Sequence, residues 1–253
     1  MLRRDLLWAL DPVRFAHEAL GFHPDSSQAQ VLRSTKPRLL LNCTRQWGKS
    51  TTAAALALHR ALYYANSLIL LASPSQRQSS ELFRKVAAFL NQLAIKPIKV
   101  EDNQFSLQLA NGSRIVALPS KEATVRGFSG VTLIIEDEAS RVDDLLYRSM
   151  RPMLAVSGGR LILMSTPYGQ TGHFFEEWTN GGNSWERLEC KATDCPRIPQ
   201  QFLEEERASL GEWWFRQEYL CEFVQTRENV FSHDLVMGAI SADVKPLFEE
   251  DKI

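Results

Sequence analysis

The chain alternates short, almost wholly apolar runs with longer segments whose apolar residues recur every three to four positions. Residues 39–43, 67–73, 131–136 and 160–165 form the apolar runs. Their lack of polar alternation predicts strands buried on both faces. Residues 50–65, 76–93 and 145–154 carry the helical period. Strands and helices in this order predict a mainly parallel sheet covered on both sides. One departure is local: Asn111-Gly112 separates residues 105–109 from 114–118, the pattern of a β-hairpin. A weaker strand is predicted at 185–190. Before the first strand, Asp11 caps a helix with Pro12 at its first position and Gly21 at its end. Ser26 or Ser27 is expected to cap a short helix through Leu32. Past about Thr171 the apolar strands give way to a loop, Asn180-Gly181-Gly182-Asn183, and two more helices. Pro199 opens the first, with Glu204, Glu205 and Glu206 near its positive end. Gly211 separates it from the second, which holds Trp213, Trp214, Phe215 and Tyr219. The expected organisation is a core over 1–172 with an N-terminal helical segment, a small helical appendage over 173–232, and a linker over 233–253.

Composition narrows this picture. A chain of 253 residues with 44% apolar content supports a large single core. No apolar run approaches the roughly 20 residues that span a bilayer. Asp11-Pro12 and Arg14 interrupt the first apolar stretch, which argues against a secretory signal. The four cysteines, 43, 190, 195 and 221, form no CxxC pair and have no closely spaced histidine pair beside them. That disfavours a zinc site and fits a reduced, cytosolic protein. The net charge of −1 is unevenly spread: 12 acidic and 5 basic residues lie from Gln200 onward, a balance of −7 that leaves +6 before it. A positive core suits a phosphate-rich partner.

Candidate chemistry begins where the strand 39–43 enters Thr44-Arg45-Gln46-Trp47-Gly48-Lys49-Ser50-Thr51, followed by an alanine-rich helix. A loop of this kind aims backbone N–H groups inward, and the helix N-terminus adds its dipole. Lys49 is placed to reach the β and γ phosphates of a nucleotide, and Ser50 to ligate Mg²⁺. The pattern departs from G-x-x-x-x-G-K-[ST] at its first glycine, where Cys43 stands. A second motif, Thr132-Leu133-Ile134-Ile135-Glu136-Asp137-Glu138-Ala139, ends an apolar strand in three acids. Asp137 is assigned to Mg²⁺, Glu138 to the base that activates water, and Glu136 to no role. A third strand, expected beside that one, ends in Ser165-Thr166-Pro167, whose hydroxyls can sense a γ-phosphate. Gln28 is a candidate reader of adenine, through an amide matching its N6 and N7, with Gln30 as competitor. Arg45 and Arg126 are candidate cations for the charge that develops during ATP cleavage.

Together these residues resemble the ATPase domain of the large terminase subunit of tailed bacteriophages, over about residues 20–230. Arg45-Gln46-Trp47-Gly48-Lys49-Ser50 is similar to that family's deviant Walker A, in which the first glycine is often lost. Ile134-Ile135-Glu136-Asp137-Glu138-Ala139 looks like its Walker B with the catalytic glutamate. Ser165-Thr166-Pro167 resembles its coupling motif and Gln28 its adenine motif. Arg126 lies in the region that supplies a trans-acting arginine finger, and 215–223 is similar to the end of its lid subdomain.

The resemblance implies a RecA/ASCE-like P-loop NTPase fold, α/β with a mainly parallel sheet flanked by helices, plus a small helical lid. It implies a Mg²⁺-dependent ATPase with ATP and Mg²⁺ bound at residues 44–51. The implied partners are double-stranded DNA, a homo-oligomeric ring on the portal of a procapsid and a small terminase subunit, with no membrane, in the host cytoplasm. Full terminases continue into a nuclease domain. This chain ends near where that domain begins, and Asp234 and Asp243 lack strand context, so no cutting activity is expected of it. A helicase needs a second RecA-like domain, and a GTPase needs Asn-Lys-x-Asp, which is absent. A catalytically idle DNA-binding or assembly module is favoured only by Cys43 and opposed by Lys49 and Glu138.

Overall fold

The structure, a computed structural model, describes residues 2–119, 127–225 and 238–239. Among them, eight strands form one sheet: β1 (Arg38–Cys43), β2 (Leu68–Ala72), β3 (Lys99–Asp102), β4 (Ser106–Leu109), β5 (Arg114–Ala117), β6 (Leu133–Asp137), β7 (Arg160–Ser165) and β8 (Glu186–Cys190). Their order is β3-β4-β5-β2-β6-β7-β1-β8. From β5 to β8 every neighbouring pair is parallel, and β4 and β3 add antiparallel at one edge.

Apolar side chains cover both faces, which is why the strands read as unbroken apolar runs. Leu39, Leu41 and Cys43 enter a core shared with α4 (Lys49–Tyr63), α5 (Gln76–Gln92), α2 (Pro12–Leu20) and α3 (Ser26–Arg33). Leu40 and Ile134 enter the opposite core, against α6 (Asp144–Met150) and α7 (Gly172–Thr179). A further helix, α1 (Leu2–Leu10), packs beside α2. The Asn111-Gly112 turn joins β4 and β5, with Gly112 at φ 81°.

Four local expectations change. Asp25, not Ser26 or Ser27, caps α3: it accepts from the Gln28 backbone N–H, and the Gln28 side chain accepts from Asp25 N–H. The pair forms a reciprocal capping box, which a neighbouring serine cannot displace. The helix expected over 145–154 splits, because Pro152 has no N–H to donate; α6 ends at Met150 and a single 3₁₀ turn follows. β3 is an exposed, charged edge strand without an apolar run, and α7 is a short helix; neither was anticipated. Finally, within 173–232, β8 pairs with β1 and Phe174 and Trp185 join the main core. Only α8 (Gln200–Leu210) and α9 (Glu212–Glu218) form a small unit of their own, around Leu203, Phe215 and Tyr219.

A buried charged cluster ties β6 to α6 and α7. Glu136 is fully buried, and its Oε1 lies 2.6 Å from His173 Nε2. His173 Nδ1 lies 2.9 Å from Asp144 Oδ1, and the ring stacks on Tyr147 with centroids 4.1 Å apart. Burial works to lower the His173 pKa, but the Glu136 and Asp144 carboxylates together raise it above the usual histidine value. A raised folded-state pKa gives stability that is fully present below the unfolded value near 6.5 and lost as pH rises through the folded value. Removing the cation strands a buried carboxylate. His173→Gln is therefore expected to cost about 3 kcal/mol at about pH 6, measured by urea unfolding, with the gap narrowing as pH rises. An undiminished gap at alkaline pH contradicts the charged-histidine account.

Candidate functional site

The loop between β1 and α4 turns through two left-handed residues, Gln46 (φ 63°) and Gly48 (φ 95°). A Cβ on Gly48 would sit 2.8 Å from Gln28 Nε2, so the position admits glycine on both counts. Cys43 still belongs to β1, so the missing first glycine places no demand on its backbone. Burial pushes its thiol well above the ordinary range, which leaves it inert. The Trp47 indole is wholly buried in the core, and its Nε1 donates to Ser27 Oγ at 2.9 Å. Trp47 O accepts from Gln28 Nε2 at 2.7 Å and from Arg197 Nη2 at 2.6 Å. Both ends of the buried Gln28 amide are thus engaged within the protein, one on the loop and one in the α3 capping box. Gln30 is exposed. Sequence reasoning placed Trp47 and Gln28 against a ligand; the structure uses their side chains to hold the loop.

Lys49 opens α4 and is buried. Its Nζ donates to Cys43 O at 2.8 Å and Thr44 O at 3.0 Å. Ser50 and Thr51 follow on the first turn, half-buried. β7 lies between β1 and β6, with Asn42 level with Ser165 and Asp137 level with Met164. The C-terminal ends of all three strands therefore meet α4. Ser50 Oγ donates to Asp137 Oδ2 at 2.9 Å. Burial and then the Glu138 charge raise the Asp137 pKa, against the opposing pull of Ser50 and Lys49. Glu138 stands in left-handed backbone at φ 55°, a conformation that a non-glycine residue holds only when its surroundings enforce it. Ser165 Oγ and Ser140 Oγ share a 2.7 Å hydrogen bond, and Ser140 Oγ donates to Thr166 O at 2.8 Å. The Glu138 turn and the end of β7 are thereby joined. Arg126 lies outside the described residues.

Two residues that the sequence reading passed over complete the site. Glu218, at the end of α9, accepts from Arg45 Nε at 2.6 Å and Arg141 Nη2 at 3.4 Å. Arg141 Nη1 reaches Glu138 Oε2 at 3.3 Å, and its guanidinium lies over Tyr168, 4.5 Å from the ring centroid. The Glu218 hydrogen bond raises the Arg45 pKa. Thr44 Oγ1 donates to Glu218 O at 3.0 Å, and Asn42 Nδ2 to Cys221 O at 2.8 Å. An unbroken chain, Arg45–Glu218–Arg141–Glu138, thus links the loop, the α8–α9 unit and the acids. The three-residue step from Glu138 to Arg141 is a signal that could have found Arg141. Nothing local marks Glu218, 173 residues from Arg45.

Chemically, this edge offers a helix N-terminus, an ammonium, a hydroxyl–carboxylate pair and a second carboxylate. Among the described residues no group of three or more His, Cys, Asp or Glu could hold a metal by itself. The Ser50–Asp137 pair instead suits a hard cation that takes its remaining oxygens from phosphate and water, as Mg²⁺ does.

A family described as terminase large subunit, T4likevirus-type, N-terminal, matches residues 40–236. The terminase large subunit of Escherichia phage T5 is 24% identical over 223 residues, covering 83% of this chain and 50% of that protein. The large terminase ATPase domain of Thermus phage P74-26 superposes with a TM-score of 0.74 at 23% identity, over 85% of this chain and 100% of that one. The large terminase of another thermophilic bacteriophage, in complex with ADP, gives 0.65 at 13% identity, over 79% and 54%. The chain spans about half the length of the curated relatives it matches. These superpositions and the strand order give a RecA-like P-loop NTPase fold. With most of its length matched by the family, the chain belongs to the terminase large-subunit family, in its N-terminal part.

Proposed function

We propose that this chain is a Mg²⁺-dependent ATPase whose turnover drives double-stranded viral DNA into a procapsid. The observation that carries the reading is the Ser50–Asp137 contact, made where Lys49 opens α4 and Glu138 adjoins. In this reading the Lys49 ammonium exchanges the carbonyls of Cys43 and Thr44 for the β and γ phosphates of ATP. Backbone N–H groups of residues 44–51 face the same phosphates. Ser50 and Asp137 hold Mg²⁺, which when bound neutralises phosphate charge. Glu138 takes the proton from the attacking water, and it must first leave Arg141. Arg45 adds positive charge at the loop. Arg126 supplies the cation to a neighbouring subunit. Gln28 contacts adenine only by giving up its bond to Trp47, so its first role is to hold the loop.

The contacts made by Ser140 and Glu218 support a coupling role for Ser165 and Thr166 and a lid role for residues 173–232. Rearrangement at Glu138 reaches the end of β7 through Ser140, and rearrangement at the loop reaches α9 through Glu218. The thermophilic phage terminase that holds ADP supports the nucleotide assignment. Terminase membership supports a homo-oligomeric ring on the procapsid portal, a small terminase subunit as partner and action in the bacterial cytoplasm. Residues 233–253 are proposed as the linker to a nuclease domain. No described helix is long and apolar enough to cross a membrane.

Three substitutions test the assignments. Glu138→Ala is expected to lower the ATPase rate by a factor of about 10²–10⁴ while leaving nucleotide binding intact; equal turnover removes Glu138 as base. Lys49→Ala is expected to lose nucleotide binding or turnover, and unchanged binding and rate contradict the phosphate cradle. Arg126→Ala is expected to slow assembled rings by about 10³-fold or more and to spare a dilute monomer. Equal slowing of the monomer places its action in cis.

A further inference from the structure

A second polar cavity, of about 530 Å³, lies at the opposite edge of the sheet. Its wall includes Thr132 and Leu133 at the start of β6, Arg160 at the start of β7, and Arg60 and Tyr64 at the end of α4. The strands are parallel, so these N-terminal ends face away from the edge that carries Lys49 and Asp137. None of the residues assigned to ATP chemistry contributes to it.

Two guanidiniums line this cavity without a carboxylate partner. Arg160 Nε donates to Lys36 O at 3.0 Å, but its buried Nη2 has no hydrogen-bond partner among the described residues. Arg60 Nε is likewise buried and unpartnered among them, and its guanidinium lies over the Tyr64 ring, 4.1 Å from the centroid. Burial and then the Arg60 charge lower the Arg160 pKa, so the two cations act on each other. The acids nearby are engaged elsewhere: Asp11 pairs with Arg33 at 2.7 Å, and Glu186, which partly offsets the effect on Arg160, accepts from Ser34 Oγ. His59 is bonded to Trp8 O, and burial lowers its pKa, so it brings no third charge. Buried, mutually repelling cations with unmade hydrogen bonds are costly. Their surroundings are complementary to a doubly charged oxyanion.

We infer that this cavity is a phosphate-binding site, with Arg60 and Arg160 as its paired cations. A phosphomonoester or inorganic phosphate carries about −1.5 to −2 near neutral pH, which matches two guanidiniums where a carboxylate supplies half the charge. Arginine forks also fit phosphate oxygens bidentately. Buried walls such as Leu32, Leu56 and Leu133, and a volume in the usual small-molecule range, favour a free phosphate or small phosphorylated compound over a nucleic-acid backbone.

Thermal unfolding at fixed ionic strength tests this, with inorganic phosphate replacing chloride. Because phosphate also suits the loop at Lys49, the Lys49→Ala variant is measured in parallel. Saturating phosphate is expected to raise the Tm by about 3 °C in wild type and in Lys49→Ala, and to have no effect on Arg160→Gln or Arg60→Gln. The same arginine-dependent shift produced by a short DNA duplex and not by phosphate keeps the site and assigns the oxyanion to the DNA backbone. A shift abolished by Lys49→Ala, a shift retained in both arginine variants, or no shift with either probe overturns the proposal. Arg60, at the helix end, carries the test if Arg160→Gln does not fold.

Discussion

The hydrogen bond from Ser50 to Asp137 is the contact on which the rest of the site depends. It joins residues 87 apart in sequence, one on the first turn of α4 and one at the last position of β6. It exists because β7 alone separates β1 from β6, and because all three strands run the same way. Any change in strand order would move Asp137 away from α4. The buried apolar strands hold that order, and the short polar segments at their ends carry the chemistry. Stability and function are thus divided along the length of each strand.

A second layer of charge connects this edge to α8 and α9. Glu218 is shared by Arg45 and Arg141, and its backbone carbonyl accepts from Thr44. Hydrogen bonds to charged groups contribute roughly 1.5–3 kcal/mol each, so the position of α9 and the orientation of both arginines are energetically coupled. Displacing α9 frees Arg45 and Arg141 together, and Arg141 is the group that holds Glu138. The left-handed backbone at Glu138 and the Ser140–Ser165 bond fix the acid's turn against β7. The geometry therefore offers a physical route between the small helical unit and the attacking base without a separate relay domain.

Much of this was legible in the chain itself. The core strands were readable because burial on both faces removes polar alternation, and the β4–β5 hairpin because Asn111-Gly112 satisfies its turn. Lys49, Ser50 and Asp137 were legible because their spacing from strand ends is local. What was not legible was long-range. Glu218 becomes a partner of Arg45 only when α9 folds back on the loop. Trp47 and Gln28 carry chemistry suited to a ligand, yet burial and two well-made hydrogen bonds commit them to supporting the loop. Asp25 took the α3 cap because its box with Gln28 satisfies two backbone donors at once, a cooperation invisible when each residue is ranked alone. β3 escaped notice because an exposed edge strand needs no apolar run.

The most direct measurement is a crystal structure with Mg²⁺ and a slowly hydrolysed ATP analogue. The account predicts that Lys49 Nζ leaves the carbonyls of Cys43 and Thr44 for the γ-phosphate, with Ser50 and Asp137 on one metal ion and Glu138 facing the line of attack. A nucleotide bound elsewhere, or bound here with Asp137 and Glu138 too far to share its metal and phosphates, would contradict it.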